Sequence, residues 1–288
     1  MKTVVTHNGS FHADDVFSIA AFQLLFGKDI NVVRTRDEEM IDQADYVVDV
    51  GGVYDPANNR YDHHQNNAPV RENGIPYSGF GLVWKHYGEQ ICGSAAVALK
   101  IDEKLCQPID LGDNGISIWE LGKYDLPALE WDGIVKAWQA DSNHKEDMDT
   151  QFFQVVEFVR SYLQRLVQKT HTKIEQKQKA ITLYETSEFK NILVSDEYLS
   201  RSLFVEYPEV QVLLFPKTDT NQWVATAVEE DSVGFATKVS FPAHWAGLRD
   251  EELATVSGIP DAAFCHKNCH LFVAGSREGA LAAAQRAK

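Results

Sequence analysis

The sequence predicts an α/β fold: an N-terminal parallel sheet with crossover helices, a long connecting helix, and a smaller C-terminal α+β domain. Three observations carry this. Short β-branched runs alternate with helical patterns over the first 50 residues, the sign of a parallel sheet. A single helical pattern then runs from Asp149 to Lys179. Strand-like runs return after Thr186, with helices placed among and after them. We therefore expect domains at 1–148 and 187–288, joined by a helix over 149–186.

Taken in order, Thr3-Val4-Val5-Thr6 reads as a strand that ends in the turn His7-Asn8-Gly9. Asp14 opens an apolar helix stopped by Gly27, with more than one face crowded and hence buried. Val32-Val33 and Tyr46-Val47-Val48 are the next strands, with a short helix at Asp37–Ile41 between them. Tyr77-Ser78-Gly79-Phe80-Gly81 reads as a Gly-rich bend before a helix at Leu82–Tyr87. Its amides can face an anion, or it is equally a helix start whose glycines serve close packing. Ser94–Lys104 is helical, and Asp110-Leu111-Gly112-Asp113-Asn114-Gly115 is a carboxylate-bearing turn before the apolar Ile116–Trp119. Trp131–Met148 is polar and irregular, a loop with a short helix. The long helix spans roughly 45 Å at 1.5 Å per residue, enough to connect two domains or to pair with a second copy as a homo-oligomer. In the last third, strands are expected at Ile192–Val194, Val210–Phe215, Trp223–Val228, Ala262–Cys265 and Leu271–Ala274, with helices near Glu251–Thr255 and after Gly279.

Composition narrows the function classes. The chain has 288 residues, 44% hydrophobic and 24% charged, as a soluble globular protein does. A net charge of −15 argues against a broad basic surface for duplex DNA and against anionic membranes. It leaves room for a phosphate held locally by metal ions. No stretch is apolar enough to span a bilayer, the first residues are too short in apolar run for a signal peptide, and the expected location is cytoplasmic. The four cysteines (Cys92, Cys106, Cys265, Cys269) read as free buried thiols.

Chemistry concentrates in the first third. Asp62-His63-His64 stands in a row, preceded by His7, His12, Asp14, Asp15 and Asp49. In a parallel sheet ligands sit beyond the C-terminal strand ends, where His7 and Asp49 fall. His7, His12, Asp14, Asp49, His63 and Asp113 mix imidazole with carboxylate, a set suited to Mn²⁺, with Mg²⁺, Co²⁺ or Zn²⁺ as alternatives. They are too many for one tetrahedral ion and about right for two, with Asp49 suited to bridge. Two divalent ions carry +4 and three carboxylates −3, leaving about +1 to attract a phosphate and supply hydroxide for in-line attack. His64 can position a phosphate oxygen or protonate a leaving group, with Asp62 orienting a histidine. Asp15 reads as a first-turn helix carboxylate. Cys265-His266-Lys267-Asn268-Cys269-His270 lacks the haem spacing and reads better as a turn between strands than as a zinc site.

The segments His7-Asn8-Gly9-Ser10-Phe11-His12-Ala13-Asp14, Val48-Asp49-Val50-Gly51-Gly52 and Tyr61-Asp62-His63-His64-Gln65 resemble the motifs of the melanocyte-proliferating-gene (Myg-type) family, a branch of the DHH phosphoesterase superfamily. Arg34-Thr35-Arg36-Asp37, Asp113-Asn114-Gly115-Ile116, Gly247–Glu251 and Arg277–Leu281 extend the likeness over nearly the whole chain. The resemblance implies a DHH fold, a dinuclear Mn²⁺-type centre and 3′-to-5′ exonucleolytic hydrolysis of RNA or short oligonucleotides. By the superfamily pattern, His7, His12 and Asp49 would hold one ion, and Asp14, Asp49, His63 and Asp113 the other. Asp113 is favoured over Asp110 because it abuts Asn-Gly as the family's motif does. Ser78, Gly79, His266, Lys267 and Arg277 are candidate substrate contacts. The alternatives are a pyrophosphatase or dinucleotide phosphodiesterase with the same chemistry, and a non-catalytic protein that uses metal to hold RNA.

Overall fold

The structure is a computed structural model, and it describes residues 1–117, 119, 128–139, 147–231 and 236–288. Within it the chain divides into two units, Met1–Thr172 and Lys173–Lys288.

In the first unit, the β-branched runs become β1 (Thr3–Thr6), β2 (Asn31–Arg34) and β3 (Tyr46–Val48), followed by the short β4 (Tyr54–Asp55) and β5 (Arg60–Tyr61). The sheet order is β2-β1-β3-β5-β4. The first four of these are mutually parallel and β4 is antiparallel to β5. Crossover α1 (Ala13–Phe26) is buried from Ala13 to Phe22, because its apolar residues cover every face, and Gly27 ends it at φ 88°. The second crossover carries α2 (Glu38–Gln43), where Asp37 accepts the Met40 N–H as its cap.

One open reading is decided here and one local expectation changes. Gly79 and Gly81 form the close-packed helix start rather than an anion-facing bend: they are the first turn of α3 (Gly79–Cys92). A Cβ at Gly81 would lie 2.0 Å from an Asp110 carboxylate oxygen, and one at Gly79 would lie 3.0 Å from the Asp49 Cβ. Close approach of α3 to the end of β3 requires glycine at 79, and its approach to Asp110 requires glycine at 81. Asp110 and Asp113 likewise lie on a helix. After α4 (Ala95–Ile101) a π-helical stretch, Asp102–Cys106, leads into α5 (Gln107–Asp113), which Asn114 and Gly115 terminate. Of the apolar Ile116–Trp119, Ile118 lies outside the described residues. So does 140–146 within the irregular stretch, where α6 (Trp131–Lys136) supplies the short helix.

Helix α7 (Met148–Thr186) belongs to both units. Its Phe152, Val155, Val156, Val159 and Leu163 are buried in the first, with Phe152 edge-on to Phe11 at 5.5 Å. Its Ala180 is buried among Leu193, Phe204, Leu213 and Phe215 of the second.

The second unit is α+β. Its sheet runs β6 (Ile192–Val194), β7 (Val212–Pro216), β8 (Trp223–Ala227), β10 (Leu271–Ala274), β9 (Ala262–Cys265), parallel only between β6 and β7. Helices α8 (Asp250–Ser257) and α9 (Arg277–Ala284) contribute Leu253, Ala280 and Ala283 to a core that also holds Trp245 and Phe272. The four cysteines are buried free thiols, as expected.

Candidate metal centre

Four parallel strands deliver their C-terminal ends to one edge of the first sheet. His7 follows β1, Asp49 follows β3, and Asp62-His63-His64 follow β5. The first turn of α1 adds Asp14 and Asp15, and the end of α5 adds Asp113. Residues far apart in sequence thus share one pocket of about 900 Å³, lined by His7, His12, Asp49, His63, His64 and Asp113 among others.

Asp49 lies at the junction. Its Oδ2 is 3.2 Å from Nε2 of His7, and its Oδ1 is 3.3 Å from Nε2 of His63. It adopts φ 57°, a left-handed conformation that Asp tolerates better than most residues, and the glycines at 51 and 52 continue the turn with positive φ. This turn aims both carboxylate oxygens inward, one toward each histidine. His63 Nε2 is also 3.1 Å from Asp113 Oδ2 and 3.8 Å from Asp14 Oδ2. Asp113 is therefore the carboxylate at the site. Asp110 points away from it, ion-paired to Arg71 at 2.6 Å and bonded to the Ser78 hydroxyl.

Asp15 is more than a helix-start carboxylate. One oxygen caps α1 by accepting the His12 N–H at 2.9 Å. The other stands 3.3 Å from His7 Nε2. Sequence reasoning missed this because the capping role alone accounts for an acid at that position. The signal was present in the spacing: a carboxylate three residues past His12 that caps the helix has one oxygen left over.

Ligand-capable atoms fall into tight groups: His7, Asp15 and Asp49; His12, Asp14 and Asp113; and Asp49, Asp62, His63 and His64, each within 4.8 Å. His12 thus sides with Asp14 and Asp113, and Asp15 takes the place beside His7 and Asp49 that the resemblance implied for His12.

The donor set fits metal ions. Asp14 Oδ1, Asp15 Oδ2, Asp49 Oδ1 and His63 Nε2 are buried with no hydrogen-bond partner among the described residues, an expensive arrangement that a cation would satisfy. The electrostatics agree. Burial and the neighbouring Asp49, Asp113 and Asp15 charges push the Asp14 carboxyl well above its ordinary range. Burial lifts Asp15 to about 7 against the pull of His7. Burial would lower His63, but Asp113 and Asp49 raise it to about 10. Burial also works to raise Asp49, yet the close imidazoles of His63 and His7 hold it below the usual carboxylate range. Acids crowded this closely otherwise need protons to hold them together.

Asp62 is fully committed. Its Oδ1 accepts the backbone N–H of His63 and of His64 and lies 2.7 Å from His64 Nδ1, while its Oδ2 accepts the Gly52 N–H. It orients His64, whose side chain is 62% exposed at the pocket. The Asp62 partner raises the His64 pKa, so its imidazole holds a proton more tightly than a free histidine.

The candidate substrate contacts fall in both units. Ser78 and Gly79 are buried behind the site, where the Ser78 hydroxyl donates to Asp110 and the Gly79 N–H donates to Asp14 at 3.2 Å. Their polar groups are spent on holding a carboxylate, so they position the site without facing a ligand. His266, Lys267 and Arg277 belong to the second unit and do not cluster. His266 and Lys267 sit in the β9–β10 turn, where His266 Nδ1 accepts the Asn268 N–H, and Arg277 follows the far end of β10.

Residues 3–287 match the family model for MYG1 exonucleases, described as "Uncharacterised protein family (UPF0160)". The chain is 30% identical to human MYG1 exonuclease over 97% of its own length and 84% of that protein. It is also 30% identical to a MYG1 protein of Caenorhabditis elegans, covering 98% of this chain and 94% of the relative, and 30% identical to one of Chlamydia pneumoniae, covering 96% and 93%. No solved structure matches it significantly. A full-length match to the family model, together with relatives at this identity across animals and bacteria, shows that the chain belongs to the MYG1 family.

Proposed function

We propose that the chain is a metal-dependent phosphodiesterase, a 3′-to-5′ exonuclease acting on RNA or short oligonucleotides through a DHH-type centre of two divalent ions, with Mn²⁺ the preferred metal. The observation that carries this reading is the convergence of unpartnered carboxylate and imidazole atoms at parallel strand ends. The names of the relatives, exonucleases in human, cow, rat and mouse, support the nuclease class. His7, Asp15 and Asp49 would hold one ion, and Asp14, Asp49, His63 and Asp113 the other, with His12 beside Asp14. When bound, such ions supply Lewis acidity toward phosphoryl oxygens and lower the pKa of water.

The chain's own groups do the rest. With Asp62 on Nδ1, His64 has Nε2 left to face the pocket and hand a proton to the leaving oxygen. Asp62 fixes the ring's orientation and steadies its charge.

Incubating the purified protein with Mn²⁺ and a 5′-labelled oligoribonucleotide tests this: a ladder shortened from the 3′ end is expected, and no turnover with any divalent ion refutes it. A second reading, hydrolysis of pyrophosphate or a dinucleotide, draws on the acidic chain, which suits small anions better than long ones. Relative rates on pyrophosphate, a dinucleotide and a longer RNA separate the two.

A further inference from the structure

Once Asp15 joins the centre, the charge balance shifts. Asp14, Asp15, Asp49 and Asp113 supply four negative charges, which cancel two divalent ions, and Asp62 is matched by His64. Such a floor holds no surplus positive charge for a substrate phosphate. A further cation is needed, and the pocket has one candidate. Among the described residues lining it, Arg36 alone is a lysine or arginine.

Arg36 stands two residues past the end of β2, the strand beside β1, so it shares the sheet edge that carries His7. Its backbone is held on both sides. The Thr35 N–H bonds the Thr6 carbonyl at 2.8 Å, the Thr35 hydroxyl accepts the Asp37 N–H, and Asp37 caps α2. Its side chain is exposed, and among the described residues no hydrogen bond or ion pair engages it. Its neighbours in the unit are spent on structure. Arg34 binds Asp149 and the Gly9 carbonyl, Arg60 binds the carbonyls of Ala44, Asn58 and Asp42, and Arg71 binds Asp102 and Asp110. The exposed Asn8 and Ser10, on the loop after β1, line the same pocket with neutral donors.

We propose that Arg36 is the phosphate-gripping residue of this pocket, its guanidinium fork binding non-bridging oxygens of the substrate phosphate beside the metal centre. The proposal rests on the phosphodiesterase reading and specifies what recognises the anion. A fixed backbone with an uncommitted guanidinium is what a reusable anion contact requires, and a fork matches two phosphate oxygens where an ammonium matches one.

The test compares wild type, Arg36→Gln and Arg36→Lys, each loaded with Mn²⁺ and checked for equal metal content. Adenosine 5′-monophosphate binding is measured by calorimetry across a salt series, with uncharged adenosine as control, and turnover of an oligoribonucleotide is measured in parallel. Arg36→Gln should weaken nucleotide binding about 10- to 100-fold. It should weaken the salt dependence of that binding and leave adenosine unchanged. Arg36→Lys should fall between. Nucleotide affinity and salt slope that stay unchanged in Arg36→Gln overturn the assignment, as does a metal-loaded wild type that binds no nucleotide. If Arg36→Gln loses nucleotide binding while wild type turns over no phosphodiester, the assignment stands and the phosphodiesterase reading falls. If wild type turns over and Arg36→Gln matches it in KM and kcat, the reverse holds.

Discussion

Asp49→Asn probes the centre at its junction. Asparagine accepts the φ of 57° about as readily as aspartate, so the turn through the glycines at 51 and 52 survives. What is lost is one negative charge whose two oxygens reach His7 at 3.2 Å and His63 at 3.3 Å. A unit charge acting over about 4 Å at an effective dielectric near 20 is worth about 4 kcal/mol against each opposite unit charge, on the order of a 10³-fold weaker hold on metal. Turnover should fall at least as far. The ion-free variant should unfold near the wild-type temperature, because removing a charge from among Asp14, Asp15 and Asp113 relieves repulsion as it removes the partner of two histidines. Metal content by mass spectrometry after dialysis, turnover of a labelled oligonucleotide, and thermal melts in chelator provide the readouts. Metal content and turnover both within tenfold of wild type would refute the reasoning. Loss of folding without prior turnover would indicate a metal-braced scaffold.

Further outcomes follow from the same geometry. His64→Gln should keep its metal and lose about 10²–10⁴-fold in kcat. Wild-type activity should decline as pH rises through the raised His64 pKa, and that alkaline limb should vanish in the variant, which a pH–rate profile checks. In chelator, melting temperature should fall as pH rises from 5 to 8. Asp14 and Asp15 keep protons in the folded state that the unfolded chain releases above about 4, and His63 keeps one that the unfolded chain releases near 6.5. Each therefore contributes stability that is lost with rising pH. Added Mn²⁺ must displace those protons, so its stabilising shift should grow over the same range. Gly81→Ala places a Cβ 2.0 Å from Asp110 and should destabilise the first unit. A cost of about 1–3 kcal/mol is expected, seen as a melt lowered by roughly 5 °C.

Much of this was legible in the sequence because the signals were local. The β-branched runs, the Gly27 stop and the Asp37 cap each act within a few residues, and β1, α1 and α2 form where those signals place them. Histidines and aspartates at strand ends announced the site, since a parallel sheet gathers such ends. What stayed hidden depends on partners distant in the chain. At Gly79 and Gly81 the sequence left an anion-facing bend and a close-packed helix start both open, and only the approach of Asp49 and Asp110 decides for the second. Asp110 and Asp113 were alike in sequence, and Arg71, 39 residues before one of them, decides which faces the histidines. Asp15 was masked by its own capping role, and Arg36 by a motif in which Arg34 is structural.

The most direct test is an anomalous difference map at the manganese edge from crystals grown with Mn²⁺. Two peaks are expected on either side of Asp49, one against His7 and Asp15 and one against Asp14, His63 and Asp113. A fully loaded protein whose peaks lie away from Asp49 would contradict the account.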